Sequence, residues 1–137
     1  MKDIVRNTLA AMAGAVTGIV LISLIQLLSA RLYPVPEGLD RTNAVAMGGF
    51  MRTLPAGAFL LVLLSYLVGG FGGALAAGKL SLSHGRRQAV MVAVLFAFAS
   101  LMNLLSFPHP AWFWIANFAA IGIGGCLALR LLPKGSG

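Results

Sequence analysis

Ser106-Phe107-Pro108-His109-Pro110-Ala111-Trp112 decides how many times this chain crosses a bilayer. No Lys, Arg, Asp or Glu occurs between Ala89 and Leu129, so the region reads either as one very long helix or as two. Two prolines with one residue between them remove two backbone donors and clash with the preceding turn, which breaks a helix. The segment is therefore a tight turn between two antiparallel spans, residues 89–107 and 111–132.

Working outward, two further stretches reach the roughly 20 apolar residues that a spanning helix needs: 9–32 and 55–77. The fold expected is an all-α membrane protein, a four-transmembrane-helix bundle forming one transmembrane domain over residues 1–137. Composition agrees. Of the 137 residues 59% are hydrophobic and 9% charged, against about 25% charged in a soluble domain, and the mean hydropathy is +0.93. So few charges cannot coat a water-facing surface, and the apolar surface must meet membrane lipid. The first run is too long for the 7–15-residue core of a signal peptide, and Leu28-Ser29-Ala30 makes a poor cleavage site, so it is read as a retained helix.

The net charge of +7 does not imply nucleic acid, because the basic residues lie between apolar runs instead of on one face. They act as topology signals. Lys2, Arg6, Lys79, Arg86, Arg87, Arg130 and Lys134 fall on one side, Arg31, Arg41 and Arg52 on the other. Seven against three places both termini in the cytoplasm. Trp112 and Trp114 follow the outer turn, at interfacial depth. In the first outer loop, Tyr33-Pro34-Val35-Pro36 is extended. Asp40 is expected to cap a short interfacial helix from Arg41 to about Met51, with Ala44, Val45, Met47, Phe50 and Met51 as its apolar residues. Thr53 and Ser83 are expected to cap the second and third spans, and Gly78 to end the second.

An internal repeat is suggested. Ser23-Leu24-Ile25-Gln26-Leu27-Leu28-Ser29 corresponds to Ser100-Leu101-Met102-Asn103-Leu104-Leu105-Ser106, and each is followed by Pro-x-Pro. Gly70-Phe71-Gly72-Gly73-Ala74-Leu75-Ala76 corresponds to Gly122-Ile123-Gly124-Gly125-Cys126-Leu127-Ala128. Chance similarity among Leu- and Gly-rich segments is the alternative. Two tandem hairpins, residues 9–77 and 84–132, would share one orientation and a pseudo-axis along the membrane normal.

Small residues at four-residue spacing let helices approach closely in lipid. Ala10, Gly14 and Gly18 form such a ladder, as do Gly69, Gly73 and Ala77, and Ala120 with Gly124. These residues pack the bundle or form a seam in a homo-oligomer or with a partner membrane protein. Cys126, the sole cysteine, reads as a small packing residue.

Charges are absent from the middle of every span. That argues against proton-coupled export, which needs an ionisable group in the membrane, and against a small multidrug transporter. His84 and His109 lie at opposite faces, which argues against a two-histidine haem. No nucleophile–base pair or metal-ligand cluster is present, so neither a cofactor nor a metal is expected. What remains is a neutral polar belt: Ser23, Gln26 and Ser29 on the first span, Ser100, Asn103 and Ser106 on the third. Gln26 lies roughly 9 Å from the outer helix end at 1.5 Å per residue. Asn117 sits at similar depth, with His109 and Trp112 at the mouth. The belt is either interhelical hydrogen bonding or a shallow outer pocket for a lipid head group, quinone or small neutral solute. Arg31, Arg41 and Arg52 are expected to pair with Glu37 and Asp40 or to hold an anionic head group.

The stretches Leu32-Tyr33-Pro34-Val35-Pro36-Glu37-Gly38-Leu39-Asp40, Leu54-Pro55, Gly69-Gly70-Phe71-Gly72-Gly73, Asn103 and Pro108-His109-Pro110-Ala111-Trp112-Phe113-Trp114 resemble a group of small bacterial four-helix membrane proteins. The resemblance implies a bacterial inner-membrane protein and implies no activity. It does not extend to fluoride channels of similar size, whose Gly-rich, Thr/Ser- and Phe-bearing pore segments have no counterpart. Three functions stay open: a non-enzymatic bundle that binds helices or lipid, a channel or facilitator for a small neutral or lipid-like solute, and a quinone- or lipid-binding enzyme or redox accessory.

Overall fold

The computed structural model describes residues 1–134. The regular structure is helical throughout: α1 (Lys2–Leu32), α2 (Ala44–Thr53), α3 (Ala56–Leu80), α4 (Gly85–Ser106) and α5 (Ala111–Leu131). All but α2 are long and apolar enough to cross a membrane. The protein is a multi-pass membrane protein built as a four-helix bundle. Leu24, Val94, Phe98 and Ile115 are among the many large apolar side chains left exposed on its flanks, as expected of a surface that meets lipid.

α3 is the central helix. It packs against α1, α4 and α5, and 39% of its span is buried against 17% of the α1 span. Sequence explains the difference in part, because α3 presents Gly69, Gly73 and Ala77 where the α1 backbone comes close. A Cβ added at Gly14 would stand 2.5 Å from the Gly73 carbonyl and 2.5 Å from the Ala77 Cβ. One added at Gly18 would stand 2.8 Å from the Gly69 carbonyl. On the other flank, a Cβ at Gly124 would stand 2.6 Å from the Leu67 carbonyl of α3. The ladders on α1 and α3 thus face each other inside the bundle, and Gly124 of α5 meets the Leu67–Phe71 backbone on the other flank of α3. Phe96 of α4 presses its ring into the notch at Gly18 and Gly73. The two hairpins pack unequally: α1 runs along α3 far more closely than α4 along α5.

The core changes character along the bundle. At the end that carries both termini it is Ala74, Ala89, Ala128 and Leu132. In the middle it is Tyr66, Ala77, Val92, Phe96 and Ile121. At the opposite end it is Phe59, Leu104 and Phe113, with Met51, Leu54 and Trp114 against them. Separation between helix axes follows the side chains at the contact. Helix contacts are made through small residues at the terminal face and through aromatic rings at the α2 face.

Side chains tie each end. At the terminal face, Asn7 Oδ1 accepts from the Ser81 hydroxyl (2.6 Å) and the Leu82 amide (3.2 Å), and its Nδ2 donates to Ser83 Oγ (3.0 Å). Arg86 donates to the Leu129 carbonyl at 2.6 Å, meeting an orphan acceptor at the end of α5. At the α2 face, Gly48 lies on the Pro108 ring, where a Cβ would stand 2.6 Å from Cγ.

Several local expectations are corrected. The cap of α2 is Asn43, whose side chain accepts from the amides of Val45 (3.0 Å) and Ala46 (3.1 Å). Asp40 instead closes the preceding turn, accepting from the Thr42 amide (2.9 Å) and hydroxyl (2.7 Å). Those two bonds hold its carboxyl below the usual carboxylate range. Thr53 ends α2, donating to the Phe50 carbonyl at 2.6 Å, and Pro55 precedes α3 without a side-chain cap. Ser83 is held by Asn7, while His84, in left-handed conformation at φ 60°, begins α4. Gly78 does not stop α3. It is buried against Leu132, and its carbonyl approaches Gly85, where a Cβ would stand 2.5 Å away. The Pro108–Pro110 break holds, with Phe107 extended and Pro110 immediately before α5.

Candidate functional site

Beside the aromatic core a cleft of about 340 Å³ opens between α1, α3, α4 and the 107–110 turn, with α2 across it. α2 lies there because its amphipathic pattern leaves Met47, Phe50 and Met51 on one face, and these line the cleft. Val45 of the same helix is 86% exposed, so the contact face is narrower than its apolar composition suggests.

Of the polar belt, Gln26, Ser29, Asn103 and His109 line the cleft. Gln26 Nε2 donates to Ser65 Oγ across α1 and α3 at 3.5 Å, and the Ser65 hydroxyl donates to the Val62 carbonyl at 2.6 Å. Ser100 and Asn117 lie deeper and are fully buried, joined by a hydrogen bond from Asn117 Nδ2 to Ser100 Oγ. Asn117 Oδ1 has no partner. The Tyr66 hydroxyl is turned to Asn103 and Ser100, so a polar thread runs from the cleft into the bundle. Ser23 and Ser106 are not brought in. Both are exposed, and the Ser106 hydroxyl returns to the Met102 carbonyl at 2.7 Å. Their helix positions turn them past the seam, since residues three apart share a face only approximately. Trp112 stands behind the wall, edge-on to Phe59 with ring centroids 6.1 Å apart.

His109 is held on two sides. Its ring stacks on Phe113, centroids 5.1 Å apart and planes 13° apart, and Nδ1 lies 2.8 Å from the Phe107 carbonyl. A carbonyl only accepts, so Nδ1 carries the hydrogen. Burial holds its pKa below the ordinary value, offset in part by that carbonyl bond. The neutral ring keeps a lone pair on Nε2.

Sequence reading missed Tyr33, Phe59, Ser65, Tyr66 and Phe113. Ser65 and Tyr66 were visible as polar atoms in a run otherwise apolar from Ala58 to Val68. The aromatic residues carried no signal that separates a cleft wall from a lipid-facing ring. Among the described residues no group of His, Cys, Asp and Glu is placed to hold a metal. No charged side chain lines the cleft. A second, shallow groove of about 250 Å³ between α4 and α5 is wholly apolar, including Val94, Phe118, Gly122 and Cys126. Comparison with protein-family models, curated proteins and solved structures finds no match to this chain.

Proposed function

We propose that the protein is a non-enzymatic bundle of the bacterial inner membrane that binds a neutral, lipid-like molecule in the cleft beneath α2. One observation carries the reading: the cleft combines aromatic and methionine walls with a few amide and imidazole groups and no charge. Binding pockets are mostly apolar with a small number of placed polar groups, and their volumes begin at about 300 Å³. A charged head group would enter without a counter-charge and lose its hydration. The cytoplasmic position of both termini, supported by the seven-to-three distribution of basic residues, puts the cleft at the outer interface, within reach of the lipid head groups there. Native mass spectrometry of the protein released from membranes tests this. The wild type is expected to retain a neutral lipid, and Gln26→Leu with Asn103→Leu to lose it. Equal retention by both proteins would sink the reading.

The thread from Asn103 through Tyr66 and Ser100 to Asn117 favours a second reading, a facilitator for a small neutral solute. Against it stand the ring of Phe96 and the backbone contacts of Gly14, Gly18 and Gly73, which fill the bundle below. Solute flux in proteoliposomes that disappears in Asn117→Leu would favour this reading over lipid binding. A partner helix or second copy finds its best seat in the α4–α5 groove, since the ladders of Gly14, Gly18, Gly69, Gly73 and Gly124 are enclosed. The hairpin duplication rests on the sequence correspondence. Its paired positions have diverged in environment: Ala74 is buried and Cys126 exposed.

A further inference from the structure

We infer that the cleft selects an uncharged amphiphile that presents a free hydroxyl group, as a diacylglycerol or a long-chain hydroquinone does. This rests on the lipid-binding reading above and adds which polar chemistry the ligand must bring. Amide and hydroxyl groups of Gln26, Ser29, Tyr33 and Asn103 line the cleft and can donate as well as accept, whereas the neutral His109 ring can only accept. His109 Nδ1–H is committed to the Phe107 carbonyl, which leaves Nε2 as a lone pair. Exchanging the tautomer would leave that carbonyl without its donor, and stacking on Phe113 resists a rotation of the ring. Gln26 points one N–H at Ser65, which leaves its Oε1 and its second N–H beside the cleft. Deeper in the same thread, Asn117 uses Nδ2 on Ser100 and leaves Oδ1 unpartnered at full burial.

An acceptor fixed at the cleft calls for a ligand that donates to it. Hydroxyl groups donate without bringing charge, and the uncharged lining refuses an ammonium donor for want of a counter-ion. A ketone, ester or ether oxygen would set acceptor against acceptor at His109 Nε2. The volume suits a head group and the first methylenes of its chain, not a whole two-chain lipid.

The test titrates the full-length protein in detergent with matched pairs, followed by tryptophan fluorescence through Trp112, which packs on the Phe59 wall. One pair is a diacylglycerol and its O-methyl ether. The other is a long-chain hydroquinone and its dimethyl ether. In at least one pair the free hydroxyl compound is expected to bind about ten-fold tighter or more, because a buried acceptor facing an ether oxygen loses its hydrogen bond. That pair identifies the source. The ratio should fall toward one in His109→Phe, which keeps the ring on Phe113 and removes the acceptor. If hydroxyl and ether forms bind the wild type alike, the inference fails while lipid binding stands. If no amphiphile binds, both fail.

Discussion

Asn43 and His109 show how much of the α2 face depends on single side chains. Asn43 meets two of the orphan amides at the start of α2. Asn43→Ala is expected to destabilise that helix by about 1 kcal/mol. Faster hydrogen exchange at the Val45 and Ala46 amides, with exchange in α3 unchanged, is the measurement. His109 makes a pH prediction whose sign follows from burial. Its pKa in the fold lies below 6.5, so just below that pH the unfolded chain binds the proton more readily. Stability is then full above about pH 6.5 and falls as the pH drops through the window beneath it. Thermal unfolding in detergent at pH 7.5 and 5.5 should show this difference, and His109→Asn should reduce it. An unchanged pH response in the variant would remove His109 as its source. Neither residue's part was plain in the sequence. The cap was expected at Asp40, and the turn that Asp40 makes with Thr42 moves it three positions on, to Asn43.

At the scale of elements, glycine placement distinguishes packing surface from lipid surface. A methyl group at Gly73 would stand 2.8 Å from the Gly14 carbonyl, whereas one at Gly122 meets nothing within 4 Å. Gly73→Ala is therefore expected to destabilise the bundle by about 1–3 kcal/mol, the range for overpacking. Gly122→Ala should be neutral or slightly stabilising, because glycine is a poor residue for a helix interior. Unfolding midpoints for the two variants make the comparison. Equal effects would mean that α1 and α3 are not in backbone contact. The ladders themselves were legible, since four-residue spacing survives in any helix. Which ladder met which was not. Gly14 and Gly18 had equal claims on α3, on α5 or on another protein until the packing paired them with Gly69 and Gly73.

For the whole molecule, the polarity of the fold is its main organising feature. Small residues pack the terminal face and aromatic residues the α2 face, where they help to line the cleft. Asn7 and Arg86 tie the terminal end by bonding to the α3–α4 loop and to the end of α5. Arg86 reads only as a topology signal in the sequence and Asn7 is not singled out there, because a bond across 43 or more positions has no local signature. The proposed orientation predicts the outcome of labelling intact cells in a Cys126→Ser background. Cysteine at exposed Glu37 should react with a membrane-impermeant maleimide, and cysteine at exposed Leu82 should react only after permeabilisation. The reverse pattern would invert the protein and move the cleft to the cytoplasmic face.

Four spans, their breaks and their parity were readable from composition and from Pro108 and Pro110, because apolar length and a missing backbone donor act locally. The interfacial helix and the neutral belt were readable for the same reason, as patterns within one segment. Tertiary structure alone decided which belt residues share a cleft. Gln26, Ser29, Asn103 and His109 were brought together, while Ser23 and Ser106 were turned away and Asn117 was buried with Ser100. That selection depends on how far each helix is rotated about its own axis. The rotation is set by glycine contacts with α3 and by rings such as Phe96, Phe59 and Phe113 filling the spaces between helices. Spacing along one chain segment carries no record of it.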